Sequence, residues 1–157
     1  MKRNRMMVGV CLGIILSIFV GELWIKNYIE KHIQLGEIRE KLQGSILIRK
    51  YHNKGAMLDM GHSRRTVVAA ISVLLVIVAV LCLIFSLGQR GNHMLCIGLS
   101  LVLGGGFSNT YDRLRRKYVV DYVSFGVKWK WLRRIVFNLS DFCIIIGALL
   151  TAFGAVR

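Results

Sequence analysis

The chain has 157 residues and a formal net charge of +14, with 55% hydrophobic and only 19% charged residues. A mean hydropathy of +0.55 excludes an ordinary soluble domain and requires that the charges be segregated from the apolar residues. The absence of proline excludes a proline-rich linker, and four cysteines are too few for a disulfide scaffold. The length fits about one domain.

Four apolar stretches are long enough to cross a bilayer, whose hydrocarbon core of about 30 Å requires about 20 helical residues. They cover residues 7–28, 66–88, 93–112 and 135–156. Buried helices of a soluble protein are the alternative, but four such stretches leave too little polar chain to cover them. We therefore predict an all-α integral membrane protein with four transmembrane helices in a single polytopic domain, residues 1–157. The basic start of the chain resembles a signal peptide, but no small-residue cleavage site follows, so an uncleaved first helix is expected.

Two hydrophilic loops, residues 30–65 and 113–134, connect these helices on one side of the membrane. Within them, residues 45–51 and 118–125 are β-branched and aromatic with partial alternation, which predicts strands. Residues 30–42 have weakly helical spacing. We predict that the two loops form a small extracytoplasmic β-sheet cap on the helix bundle.

The distribution of basic residues leaves the orientation open. Each long loop carries eight Lys and Arg residues, and the positive-inside rule would place such loops in the cytoplasm. The basic residues Lys2, Arg3 and Arg5 before the first helix favour the opposite orientation, because the first helix often dominates.

Two of the eight acidic residues lie at matching membrane borders. Asp112 ends the third apolar stretch and Asp141 begins the fourth, so the second loop places both on one side of the membrane. A carboxylate inside a membrane segment is costly and indicates function. Asn109 and Asn138 each lie three residues earlier, on the same helical face, and we expect each amide to orient its own acid. The alternative is that Asp141 only caps a helix and Asp112 pairs with Arg113 at the surface.

Paired carboxylates in a low-dielectric site share one proton. One carboxylate can activate water while its protonated partner polarises a carbonyl, as in an aspartic peptidase. The sequence lacks the residue patterns that metal-dependent, thiol or nucleotide chemistry would need. The four histidines have no metal-ligand spacing, and the cysteines lie in apolar runs typical of buried hydrophobes. Nucleotide-binding motifs are absent. We expect no metal, no cofactor and no nucleic acid partner.

Five segments carry a resemblance to the lipoprotein signal peptidase (signal peptidase II) family. Gly104-Gly-Gly-Phe-Ser-Asn-Thr-Tyr-Asp-Arg113, Tyr118-Val-Val-Asp-Tyr122 and Phe137-Asn-Leu-Ser-Asp141 resemble three consecutive motifs of the family. His52-Asn-Lys-Gly-Ala56 resembles its N-x-G-A element, and Glu22-Leu-Trp-Ile-Lys26 its D-x-x-[ST]-K element. Glu22 stands where the family usually has Asp.

The resemblance implies a membrane aspartic endopeptidase that removes signal peptides from diacylglyceryl-modified prolipoproteins. It implies a multi-pass protein of the bacterial cytoplasmic (inner) membrane, with cytoplasmic termini and the active site near the outer face. It assigns catalysis to Asp112 and Asp141. Supporting or substrate-binding positions are Asn109, Arg113, Asn138, Asn53, Gly55, Glu22 and Lys26.

The expected partners are prolipoprotein signal peptides and membrane lipids, and a monomer is expected. In this orientation the excess basic charge faces the outer leaflet, where it would attract anionic lipid headgroups. The alternative function is a diverged, non-catalytic membrane or lipid-binding paralogue of the same fold. The two retained acids argue against it, since a scaffold needs neither.

Overall fold

A computed structural model describes residues 2–55, 65–89 and 91–156. The elements in chain order are α1 (Lys2–His32), β1 (Ile38–Lys41), β2 (Ile46–Asn53), α2 (Arg65–Gly88), α3 (His93–Arg115), β3 (Val119–Phe125), α4 (Lys130–Arg134) and α5 (Leu139–Ala155).

The described chain is mostly helical, and its helices are apolar on their outer surfaces. Three of the described helices, α1, α2 and α3, are long and apolar enough to cross a membrane. The α5 helix is also apolar but has only 17 residues. On α2, Leu75 is 63% exposed and Phe85 is 74% exposed, as expected for side chains that face lipid and not a protein core. The helical membrane fold is confirmed, and four complete spans stay a prediction.

The α3 helix is the centre of the bundle and packs against α1, α2 and α5. Its glycines permit this close packing. A Cβ atom at Gly98 would lie 2.6 Å from the backbone nitrogen of Thr151, and one at Gly105 would lie 2.5 Å from the carbonyl oxygen of Ser140. Small residues of this kind let membrane helices approach backbone to backbone. The polar end of α3 is therefore held tightly against α5.

The two long loops form one antiparallel sheet with the strand order β1-β2-β3. The first loop contributes β1 and β2 and the second contributes β3, so the predicted sheet is confirmed. After β3 the chain forms the short helix α4, whose last carbonyl groups, those of Arg133 and Arg134, accept hydrogen bonds from Arg49 at 3.1 and 2.9 Å. Phe137 then pairs with Val123 of β3.

Three boundaries differ from the sequence expectations. The helical spacing of residues 30–42 does not persist, because α1 ends at His32 and β1 begins at Ile38. The fourth apolar stretch becomes helical only at Leu139, since Asn138 is extended (φ −124°, ψ 170°) and caps the helix. The short helix α4 was not expected, because five residues are too few to show helical periodicity.

Candidate active site

A cavity of about 450 Å³ opens between α2, α3, α5 and the sheet. The α2 and α5 helices both pack on α3, and an apolar groove lies between them. The polar end of the cavity is lined by Asn53, Asn109, Arg113, Asp121 and Asp141. The apolar remainder includes Val68, Ile71, Leu75, Val76, Ile144 and Ile145.

Asp121 reaches the cavity from β3. Its side chain is buried and accepts two amide hydrogen bonds, from Asn53 Nδ2 at 3.0 Å and from Asn138 Nδ2 at 2.6 Å. Burial, followed by the nearby charge of Asp141, raises the pKa of Asp121 to about 7. The Asp121 carboxyl group therefore changes between its protonated and ionised forms near neutral pH.

Asp141 reaches the same cavity from the first turn of α5. The Asn138 side chain accepts from the Asp141 backbone N–H at 3.0 Å, and the Asp141 carboxylate accepts from the Asn138 backbone N–H at 3.0 Å. This reciprocal pair is a capping box. A third bond comes from Asn109 Nδ2, at 3.0 Å from Asp141 Oδ1. The helix-cap alternative is thus present in the structure, but the capping carboxylate also lines the cavity.

Asn138 connects the two carboxyl groups. Its side-chain amide donates to Asp121 and its backbone N–H donates to Asp141. Asn109 does not bond to Asp112, the acid that follows it by three residues; its amide crosses to α5 instead. The expectation that each asparagine orients its own acid is wrong for Asn109, because Asp112 points away from the cavity.

Asp112 lies in a buried ion-pair cluster beneath the cavity and is not one of the residues that line it. Its fully buried carboxylate contacts Lys26 Nζ at 3.1 Å and Arg116 Nε at 3.0 Å, and it accepts from the Val120 backbone N–H at 3.2 Å. These contacts hold the end of α3 against α1 and β3. The structure therefore brings Asp141 together with Asp121, whereas the sequence motifs paired it with Asp112.

Lys26 connects this buried cluster to the cavity. Its ammonium group contacts Glu22 Oε2 at 3.3 Å and donates to Ser108 Oγ and to Asn109 Oδ1, both at 2.9 Å. Because the Asn109 oxygen is bound to Lys26, the Asn109 amide nitrogen faces Asp141. Both Glu22 and Lys26 are fully buried, so they support the site from below and do not line it.

The first loop joins the site through Asn53 and Gly55. Gly55 N donates to Asn53 Oδ1 at 3.1 Å, which leaves Asn53 Nδ2 directed at Asp121. Arg113 donates to the carbonyl oxygens of Gly55 and Asn109, both at 3.4 Å. Ala56, the last residue of the predicted loop element, lies outside the described residues.

Two residues at the site were missed as functional positions in the sequence: Asp121 and Tyr122. Asp121 was counted as a loop acid, although an acid between Val120 and Tyr122 in an apolar strand is itself a signal, since a buried carboxylate is costly unless it is used or paired. Tyr122 gave no signal of its own. Within the described ranges, no three His, Cys, Asp or Glu residues are grouped so as to hold a metal ion.

Together, the apolar helices and the carboxyl-lined cavity define an integral membrane protein with a built polar site at one end of its bundle. The sequence profile described as "Signal peptidase (SPase) II" matches residues 14–157. The chain therefore belongs to the signal peptidase II family, and at the level of that family it is a membrane protease of lipoprotein processing.

Individual relatives agree with this family. The lipoprotein signal peptidase of Streptococcus agalactiae serotype Ia (strain A909) is 31% identical over 122 residues, which cover 78% of this chain and 75% of that protein. The lipoprotein signal peptidase of Paraburkholderia phytofirmans is 31% identical over 152 residues, with coverage of 93% and 84%. That of Halothermothrix orenii is 29% identical over 137 residues, with coverage of 87% and 88%.

Solved structures share the fold. A bacterial membrane enzyme determined by the in meso method at 1.9 Å resolution superposes with a TM-score of 0.79 at 20% identity, covering 96% of this chain and 94% of that one. A second, at 2.3 Å resolution, gives the same TM-score at 19% identity, with coverage of 95% and 88%.

Proposed function

We propose that this protein is an aspartic endopeptidase that removes signal peptides from diacylglyceryl-modified prolipoproteins, with Asp121 and Asp141 as its catalytic pair. The single observation that carries the proposal is the position of Asn138, which donates one hydrogen bond to each carboxyl group. The two acids also line one cavity, and Asn53, Asn109 and Arg113 line it with them.

The chemistry follows from the raised pKa of Asp121. With a pKa of about 7, Asp121 carries a proton in about half of the molecules at neutral pH, and in these the pair can act with one acid protonated. The ionised partner takes a proton from water as the water oxygen attacks the scissile carbonyl carbon, and the protonated partner donates a hydrogen bond to the carbonyl oxygen. The tetrahedral intermediate collapses when the peptide nitrogen receives a proton from the pair and leaves as an amine.

The groove between α2 and α5 suits the substrate class. It is lined by aliphatic side chains and ends at the two carboxyl groups, so an apolar signal segment or acyl chain lying in it would present an adjacent peptide bond to the pair. Because the groove lies between two apolar helices, it suits a substrate that is itself anchored in a membrane. We place the protein in the bacterial cytoplasmic membrane with the site near the outer face, as the family resemblance implies.

Asp112 has a different proposed role from the one its motif suggests. It pairs with Arg116 and neutralises Lys26, which is fully buried. Removal of one partner from a buried ion pair leaves an uncompensated charge that costs about 3–5 kcal/mol. We propose that Asp112 supports the fold of the site and that Asp121 takes part in the reaction.

The test compares Asp121→Asn, Asp141→Asn and Asp112→Asn in cleavage of a synthetic diacylglyceryl prolipoprotein peptide. Asp121→Asn and Asp141→Asn should insert, stay folded and lose at least a thousandfold in kcat. Asp112→Asn should mainly lower the unfolding temperature and the yield of folded protein, with measurable turnover in the molecules that fold.

Normal turnover by folded Asp121→Asn would exclude the proposed pair, and loss of all turnover in well-folded Asp112→Asn would return Asp112 to the catalytic role. The non-catalytic alternative makes a separate prediction: the unmodified protein would bind the lipidated peptide without cleaving it at any pH between 5 and 9.

A further inference from the structure

A buried tyrosine hydroxyl connects the strand that carries Asp121 to the helix that carries Asp141. Tyr122 follows Asp121 on β3 and is 6% exposed. Its hydroxyl donates to Glu22 Oε1 at 2.5 Å and accepts from the backbone N–H of Leu139, the first residue of α5, at 3.1 Å. One phenol thus touches α1, β3 and α5.

The direction of these bonds is fixed by chemistry. A phenol has one proton to donate, and the buried Glu22 carboxylate also receives Lys26 Nζ at 3.3 Å and Ser140 Oγ at 3.0 Å. With its proton given to Glu22, the Tyr122 oxygen is left as an acceptor for α5. Burial and the Glu22 charge both raise the pKa of Tyr122, so the phenol keeps this proton.

The N-terminus of α5 has three anchors on β3. Tyr122 holds the N–H of Leu139, and the Asn138 backbone is fixed by its neighbour Phe137, whose carbonyl oxygen accepts from the backbone N–H groups of Tyr122 and Val123, both at 2.8 Å. The third anchor is the bond from the Asn138 side-chain amide to Asp121. Of the three anchors on β3, only the Tyr122 bond is made to a residue of α5 itself, two residues before Asp141. A shift of that turn by a fraction of an ångström changes the distance between the two carboxyl groups.

We propose that Tyr122 is a positioning residue for peptide cleavage, whose hydroxyl fixes the first turn of α5, and with it the Asp141 carboxyl group, relative to Asp121. The proposal rests on the proposed function, because it takes these two acids as the reacting pair. Tyr122 does not line the cavity and acts only through the backbone of α5.

The deciding variant is Tyr122→Phe, which removes one oxygen atom and keeps the ring. We expect kcat to fall at least tenfold and KM to change less than twofold, because the substrate groove is untouched while the carboxyl groups lose their fixed separation. A merely structural role would lower the folded fraction and leave both constants of the folded protein unchanged.

A matched control keeps the outcome specific. Tyr118→Phe removes a phenol that interacts with Glu30 on the same side of the molecule. Its kcat should stay within about threefold of the unmodified kcat.

An equal loss in Tyr118→Phe and Tyr122→Phe would overturn the proposal, because the loss would then not depend on the bond from α5 to the Tyr122 hydroxyl. Unchanged kcat in folded Tyr122→Phe would overturn it as well. Either result is distinct from failure of the proposed pair, which would appear as turnover by Asp121→Asn or Asp141→Asn.

Discussion

Asn138 combines two tasks that are usually separate. Its side-chain oxygen caps α5 by accepting from Asp141 N, and its side-chain nitrogen holds Asp121. The two ends of one amide therefore stabilise the helix and align the site. Truncation of this side chain to alanine removes both interactions at once, so it does not show which of them affects activity.

A serine at this position separates the two tasks. Asn138→Ser keeps an oxygen that caps the helix but has no group to replace the amide nitrogen, whereas Asn138→Ala loses both. We expect Asn138→Ser to unfold near the temperature of the unmodified protein and to lose roughly ten- to a hundredfold in kcat, since one hydrogen bond to a charged group contributes about 1.5–3 kcal/mol.

Asn138→Ala should show the same loss of kcat and, in addition, about 1 kcal/mol lower stability. Thermal unfolding and turnover measured on one preparation of each variant check both expectations. Full activity of Asn138→Ser would show that Asn138 is only a cap.

Asp121 should make the stability of the protein depend on pH. Its pKa is about 7 in the folded protein and 3.8 without the fold, so between these values the folded state binds a proton that the unfolded state has released. Stability therefore falls as pH rises from about 4 to about 7 and levels off above that. The unfolding temperature of the unmodified protein should fall relative to that of Asp121→Asn across this range, and parallel curves for the two proteins would contradict the prediction.

At the scale of residues, the sequence indicated most of the site but not its pairing. Asn53, Asn109, Arg113 and Asp141 are all at the cavity, as the motifs implied. The motifs paired Asp141 with Asp112, whereas Asp121 lines the cavity with it. Spacing along a helix indicates which residues share a face, but the bond from Asn109 to Asp141 joins positions 32 residues apart. Such a contact depends on how α3 and α5 are rotated, which periodicity does not determine.

Among the elements, α3 and α5 form the most extensive contact, and this contact sets the distance between Asn109 and Asp141. A Cβ atom on Gly105 would lie only 2.5 Å from the carbonyl oxygen of Ser140, which is too close for a side chain at this position. Gly105 is one turn before Asn109, so any separation of the helices at this point lengthens the bond to Asp141.

Gly105→Ala should therefore lower both stability and activity. We expect a loss of about 1–3 kcal/mol from overpacking and at least a tenfold lower kcat. The matched control is Gly13→Ala on α1, where a Cβ atom meets nothing within 4 Å and alanine is the better helix former by about 1 kcal/mol. The prediction fails if thermal unfolding and turnover are the same in both variants.

The elements themselves were largely predictable, because their signals are local. Long apolar runs predicted α1, α2 and α3, and β-branched residues predicted β2 and β3. The late start of α5 was not predictable, since residues 135–137 are as apolar as the helix that follows. Their pairing with β3 through Phe137 is a tertiary contact that overrides helical propensity.

For the whole molecule, we predict that both termini are cytoplasmic and that the sheet lies outside. Gln43 is exposed in the turn between β1 and β2, which makes it a suitable position for a topology probe. Gln43→Cys should react with a membrane-impermeant maleimide in intact cells. The unmodified protein serves as the control for its own four cysteines, two of which, Cys11 and Cys96, are buried. Reaction of Gln43→Cys only after lysis would reverse the orientation.

The hydrogen bonds around the cavity also determine at which stage of chain synthesis the site can form. Asp121 is held by one partner 68 residues before it and by another 17 residues after it, and the second acid lies on α5, the last described helix. A growing chain that has inserted α1, α2 and α3 therefore carries Asp121 without its pair. We expect the protein to become able to cleave peptides only at the end of its synthesis and insertion, when α5 packs against α3. Incomplete chains would then not cleave other membrane proteins.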